Sequence, residues 1–182
     1  MATVLTRPIS DSQSHPLSQE ESNISIRPAS LNDLSDLGKL WFYQRSYHEQ
    51  WDELYISIPA AQESWKKQIQ SYLNQPNHCV FVAEDRKGKI IGYVHGSYHP
   101  WPISPFQCYG SLNTIAVAEE AQGQGIGKNL IKSLLGWFQK QKVQHISLFV
   151  DYRNLNALHL YRDMGFRSYQ HRLMLTLVSE SP

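Results

Sequence analysis

Apolar and polar positions alternate at some places along this chain and recur every three to four residues at others. Residues 24–28 run Ile-Ser-Ile-Arg-Pro, the alternation of a half-buried strand. Ser30 and Asn32 then open a helical region to about residue 47, with Leu34, Leu37, Leu40 and Trp41 on one face. Pro59 precedes a second helix over about 60–73, carrying Trp65, Ile69 and Leu73. The turn Asn74-Gln75-Pro76-Asn77 leads to strands at about 79–84 and 90–98, joined by the turn-rich residues 85–89. Pro100, Pro102 and Pro105 mark an irregular loop before a buried strand at 112–117. Ile126, Leu130, Ile131, Leu134, Leu135 and Phe138 then recur at helical spacing. The apolar run 146–150 reads as a buried strand of parallel type, and 172–178 as a closing strand. No internal repeat appears. The order β-α-α-β-β-β-α-β-α-β-β predicts an α/β fold, a mixed sheet with helices packed on it.

The chemistry concentrates where the strand at 112–117 gives way to the long helix, in Gln122-Gly123-Gln124-Gly125-Ile126-Gly127. Glycines there remove the side chains that would hold a ligand off the backbone. The first turn of the helix also exposes unpaired N–H groups whose dipole favours anions, so the loop is a phosphate seat. A P-loop needs GxxxxGK[ST], but 123–127 is one residue short and Asn129 follows Lys128. A dinucleotide fingerprint begun at Gly123 needs a glycine at 128, which is lysine. The pattern Q/R-x-x-G-x-G/A is met by Gln122, Gly125 and Gly127. Downstream comes Asn154-x-x-Ala157-x-x-x-Tyr161-x-x-Met164-Gly165-Phe166. Singly, these residues have plain roles: Asn154 caps a helix, Tyr161 fills a core and Gly165 ends a helix.

Together the two motifs resemble the GNAT N-acetyltransferase superfamily, over about residues 24–177. The resemblance implies the GNAT acyl-coenzyme A N-acyltransferase fold and acetyl-coenzyme A as co-substrate, with no metal. It places the pyrophosphate on Gln122, Gly123, Gln124, Gly125, Ile126, Gly127 and Lys128, and the pantetheine arm beside Asn154. It implies acetyl transfer to a primary amine by direct attack on the thioester, with a backbone donor from Ile115, Ala116 and Val117 polarising the carbonyl. Tyr161 matches the family's general acid, which meets the departing thiolate. Relatives often carry a carboxylate base on the strand before the loop; here Asn113 and Thr114 stand there, and neither titrates usefully. His99 is a candidate near the acceptor, read otherwise as a surface histidine. The segment 47–55 faces the acceptor in relatives and holds Trp51, Asp52, Glu53 and Tyr55, suited to a cationic amine. The loop 98–102 would form the opposite wall. A metal reading of His48 and Asp52 lacks the second histidine of HExxH and a third ligand. The rival is a coenzyme A-binding sensor or interaction module that keeps this fold with little turnover.

Composition narrows the remaining classes. A chain of 182 residues suits one domain, here 23–182 behind a tail at 1–22 expected to be disordered. Hydrophobic residues at 41% are ample for a core, and a net charge of +1 gives no footprint for nucleic acid. Lys128, Lys132, Arg153 and Arg162 are the local cations a coenzyme A site could draw on. Cys79 and Cys108 read as two small buried hydrophobes in a reducing, cytoplasmic setting, one disulfide being left open. No apolar run is long enough to span a membrane and no secretory core opens the chain, although a transit peptide is left open by the scarcity of acid before Asp11. The acceptor, a small-molecule, peptide or protein amine, stays open, as does a homodimer.

Overall fold

The structure, a computed structural model, describes residues 24–175; the expected tail and residues 176–178 of the expected closing strand lie outside the described residues. The elements run β1 (Ser25–Pro28), α1 (Leu34–Glu49), α2 (Ala61–Tyr72), β2 (His78–Glu84), β3 (Ile90–Trp101), β4 (Gln107–Val117), α3 (Ile126–Lys140), β5 (Ile146–Leu148) and α4 (Leu155–Asp163), with short 3-10 turns at Leu31–Asp33, Glu53–Tyr55 and Glu119–Ala121. The five strands form one sheet in the order β1-β2-β3-β4-β5. β1 to β4 pair antiparallel and β4 pairs β5 parallel, giving the mixed sheet the patterning predicts.

Each face of the sheet is covered by the helices whose apolar spacing called for it. α3 lays Ile126, Leu130, Ile131, Leu134 and Phe138 on one face, against Val94 and Leu112. α1 and α2 cover the other with Leu37, Leu40 and Ile69, against Val80, Val82 and Tyr93. The close approach of α3 depends on two strand glycines. A Cβ on Gly96 would lie 2.6 Å from a Leu134 methyl, and one on Gly110 would lie 2.8 Å from the Phe138 ring. At the open edge, Asp33 is buried and accepts from the Arg27 guanidinium through both oxygens, at 2.8 Å each, and from Ser30 N. Arg27 also reaches Glu84, so one cation ties β1, β2 and the start of α1 together. That bonding holds the Asp33 carboxyl down at about 2.

Three expectations need correction. The proline-rich region is not all loop: β3 and β4 form a long hairpin in which Pro100 pairs with Cys108 and Trp101 with Gln107. β2 ends its pairing at Ser97, so beyond that point β3 has only one neighbour and a proline lacking N–H costs no ladder bond on the empty side. The strand at 146–150 contracts to Ile146–Leu148. Residues 172–175 form no strand, and Leu173 and Leu175 are 92% and 83% exposed. With β5 only three residues long, its free edge gives a following strand few backbone partners. Cys79 and Cys108 are free and half-buried. Burial pushes the Cys79 thiol up to about 11, which makes it a poor nucleophile at neutral pH.

Candidate active site

β4 and β5 touch only through Gly110–Ile146, Ser111–Ser147 and Leu112–Leu148; beyond Leu112 the two strands part. Successive peptide groups of a strand point alternately to its two sides. From Asn113 to Val117, those facing β5 therefore meet no strand. A cleft of about 1100 Å³ opens at this gap. Its floor is Asn113, Thr114, Ile115, Ala116 and Val117 of β4, with Phe149 and Val150 following β5.

One end of the cleft is the glycine loop. Gln122, Gly123, Gly125, Ile126, Gly127 and Lys128 all line it. Gly125 is the N-cap of α3 with φ +76°, and Gly123 has the same φ, a left-handed conformation that side chains resist. A Cβ at either position would meet nothing within 4 Å, so the space above the loop is open. Gly127 differs: its φ is ordinary, but a Cβ there would lie 3.4 Å from Leu160, where α3 and α4 converge. Gln122 Nε2 donates to the Val117 carbonyl, 3.1 Å, and fastens the loop to the strand.

α4 forms the second wall. Asn154 caps it, its side chain accepting from Ala157 N at 3.1 Å, and Asn154, Ala157 and Tyr161 line the cleft. The Tyr161 ring is 7% exposed and packs edge-on to Phe166. Burial raises its phenol to about 12, so it stays protonated through the neutral range.

α1 supplies the third wall, with Tyr43, Gln44, Arg45, Tyr47 and His48, and the following turn adds Asp52, Leu54 and Tyr55. His48 stacks on Tyr55 at 5.0 Å and meets Trp51 and Tyr47 edge-on. Its Nδ1 is buried without a partner, and burial lowers its pKa, so the ring is neutral at pH 7. Arg45 sits over the Trp41 and Tyr55 rings, 5.7 Å from each, and bonds Ser57 and the Leu54 carbonyl. Asp151 also lines the cleft; its hydrogen bond from Arg153 lowers its pKa to about 2. Among the described residues no group of three or more His, Cys, Asp or Glu could hold a metal, and no helix is long and apolar enough to cross a membrane.

A profile of the Acetyltransferase (GNAT) family matches residues 41–166, which take in the second half of α1, the glycine loop and α4. The chain belongs to this family. Among curated GNAT relatives, a mycothiol acetyltransferase of Renibacterium salmoninarum is 33% identical over 85 residues, 47% of this chain and 25% of the relative. The human N-acetyltransferase 8B is 29% identical over 134 residues, 74% of this chain and 56% of the relative. The chain thus spans about a quarter of the mycothiol acetyltransferase it matches. An aminoglycoside acetyltransferase from an uncultured soil metagenomic sample, solved with trehalose, superposes with a TM-score of 0.66 at 23% identity, covering 88% of this chain and 99% of the other. The tetramutant of the BH1408 protein from Bacillus halodurans gives 0.75 at 20%, covering 84% and 99%. At such identities the likeness is one of fold.

Set against the GNAT resemblance, the structure brings both motifs to one cleft. Gln124 is turned away from it, its amide donating to the Glu120 carbonyl. Of the acceptor residues, Asp52 and Tyr55 line the cleft and Trp51, Glu53 and His99 do not. Trp51 instead receives Arg153 on its carbonyl, and Asp52 caps the turn at Leu54 N. The loop at 98–102 is no wall of this cleft, because the hairpin carries it past the gap. Of the four candidate cations, Lys128 lines the cleft and Arg153 is spent on Asp151. Sequence reasoning missed Tyr43, Gln44, Arg45, Asp151 and Arg172. The one signal available was the Leu37–Leu40 stripe of α1, which at helical spacing runs on into the polar residues Gln44 and His48.

Proposed function

We propose that this chain transfers an acetyl group from acetyl-coenzyme A to a primary amine. The observation that carries the reading is the parting of β4 from β5 beyond Leu112, with the left-handed glycine loop at one end of the gap and Tyr161 on its wall. The residues present fit the co-substrate. Gly123, Gly125 and the first N–H groups of α3 would take its pyrophosphate, with Lys128 adding positive charge. The open edge of 115–117 and the Asn154 amide would take its amide-bearing arm. Bound there, acetyl-coenzyme A supplies a thioester, the electrophile of the reaction.

The chain's own groups do the rest. A β4 peptide N–H at the open edge polarises the carbonyl oxygen. The attacking nitrogen loses a proton as its bond to carbon forms, and the neutral, cleft-lining His48 accepts it. The C–S bond breaks with its electron pair on sulfur, which the Tyr161 hydroxyl meets. A phenol near 12 gives its proton up reluctantly to a thiolate whose own pKa is about 8.5, so Tyr161 stabilises the sulfur chiefly by donating a hydrogen bond. Of the two carboxylates lining the cleft, Asp151 is neutralised by Arg153, which leaves Asp52 to attract a cationic acceptor.

The test is release of free thiol from acetyl-coenzyme A against a library of small amines and peptides, with the product identified by mass. Acetylation of one or more primary amines is expected. Coenzyme A binding without thiol release would make the chain a coenzyme A-binding module, and no binding at all would overturn the site.

A further inference from the structure

The strand facing the acceptor carries no carboxylate, and a built hydrogen-bond chain stands in that place. His95 pairs with Thr114 and Gly96 with Leu112, so Asn113 is an extra residue in β4, a β-bulge. A bulge turns two successive side chains toward one face. That face is the one under α1 and α2, shared by Tyr93 and Ala116, and Asn113 and Thr114 both line the cleft there. Behind Asn113, its Nδ2 donates to Ser97 Oγ at 2.9 Å, and Ser97 Oγ lies 3.1 Å from His99 Nε2. Ser97 is 1% exposed, so its hydroxyl has little but these two partners to choose from.

We propose that Asn113 orients the acceptor amine through its Oδ1, and that Ser97 and His99 are positioning residues that decide which end of the amide faces the cleft. This rests on the transfer reading above. The polarity of the chain runs one way. With Asn113 Nδ2 donating to Ser97, the serine proton goes to His99 Nε2, which offers a lone pair while the neutral ring keeps its proton on Nδ1. Asn113 Oδ1 then has no partner among the described residues, and Asn113 is exposed to the cleft. An amine N–H is the donor that oxygen lacks. A carboxylate in the same place would favour the ammonium form, which cannot attack; an amide orients the nitrogen without raising its pKa.

Protonating His99 reverses the chain. Nε2 becomes a donor, Ser97 receives two donors, and its own proton loses its acceptor in a buried site. Rotating the Asn113 amide relieves this and presents NH₂ to the cleft, where it repels an amine N–H. The titratable groups facing the chain are His78 of β2 and His95 of β3, both stacked with Tyr72 of α2, and Tyr109 of β4, whose ring lies 5.5 Å from that of His99. Burial and the neighbouring His99 lower the His78 pKa, and burial lowers His95 to about 3, so both rings stay neutral at pH 7.

Steady-state kinetics with the best amine from the thiol-release screen test this on N113A, S97A, the double variant and H99Q. N113A should raise the amine KM about threefold to tenfold, the span of one hydrogen bond, with the acetyl-coenzyme A KM unchanged. S97A should move the amine KM the same way, and the double variant should be no worse than N113A, because the serine acts only through the amide. H99Q, which changes the acceptor of the serine proton, should move the amine KM in the same direction as S97A. An unchanged amine KM in N113A, or effects of N113A and S97A that multiply, overturns the proposal. If the parent binds amine in the presence of coenzyme A yet releases no thiol, transfer fails and the same comparison of variants is read on the amine Kd. A parent that binds no amine overturns both.

Discussion

Four glycines of this chain have a left-handed φ, and they form a matched set for testing the phosphate seat. Gly123 and Gly125 stand at +76° in the loop, Gly88 at +78° in the β2–β3 hairpin and Gly165 at +90° after α4. None has an atom closer than 3.7 Å to where a Cβ would fall, so alanine at any of them meets no clash in the free protein. What remains is backbone strain, about 1–2 kcal/mol for a left-handed residue bearing a Cβ. In a domain this size that lowers Tm by about 2–8 °C, and G88A and G125A should fall together within that range. Ligand separates them. At 100 times Kd, acetyl-coenzyme A adds about 2.7 kcal/mol to folding. A methyl above the loop stands where a phosphate oxygen would approach the α3 N-terminus. A tenfold loss of affinity at the same concentration leaves about 1.4 kcal/mol, so the thermal shift of G125A should be half that of the parent or less. G88A should keep the full shift. Scanning fluorimetry with and without ligand reads both quantities in one experiment. A G125A protein that melts lower but keeps the parent's full ligand shift refutes the seat; so does a G88A protein that loses the shift.

Y161F should lower kcat by at least about tenfold with little change in either KM, because the hydroxyl meets charge that develops only as the thiolate leaves; turnover equal to the parent's would reduce Tyr161 to packing. The lowered pKa of His48 means that its base form is lost only in acid, so kcat at saturating amine should fall only on the acid side of the ordinary histidine range. That limb should disappear in H48Q along with most of the rate, and a limb that survives at the same pH assigns it elsewhere. Asp33 is held at about 2 by Arg27, below its ordinary value, so its contribution to stability is present above pH ~4 and is lost as pH falls through ~2. For a carboxyl 6% exposed the shift corresponds to about 2 kcal/mol, which R27Q should remove in denaturant titrations at pH 7 while flattening the acid transition. N154A should cost about 1 kcal/mol through the lost cap. If it also binds acetyl-coenzyme A more weakly at 25 °C by calorimetry, its amide meets the ligand; unchanged binding confines Asn154 to the cap.

The parts that sequence made legible are those where one local rule decides the outcome. α3 follows from apolar residues at helical spacing, and its start follows from glycines that no interior helix position would favour. Asn154 was readable as a cap because a cap is a property of four consecutive residues. What escaped depends on pairing between distant segments. Pro100 looks like a breaker until β2 is seen to stop short of it, which makes one side of β3 empty. Asn113 and Thr114 were legible only as residues that cannot serve as a carboxylate base; the bulge that brings both into the cleft is set by register with β3. Glu53 and Trp51 lay in the right segment, but the 3-10 turn fixed by Asp52 sends them out of the cleft and leaves Tyr55 in it.

The short registry between β4 and β5 has a consequence for local opening. Backbone pairing holds β5 to β4 over only three residues, beside the packing of Ile146 and Leu148 on the core, while the other side of β4 is paired along nearly its whole length. The segment from β5 to the end of α4 is therefore the region whose amides should exchange with solvent at the smallest free-energy cost. A ligand whose arm bonds the bare edge of β4 and leans on α4 supplies the missing neighbour from outside the chain. Its occupancy should be visible as slowed hydrogen exchange over 146–163, even for a fragment that lacks the phosphates.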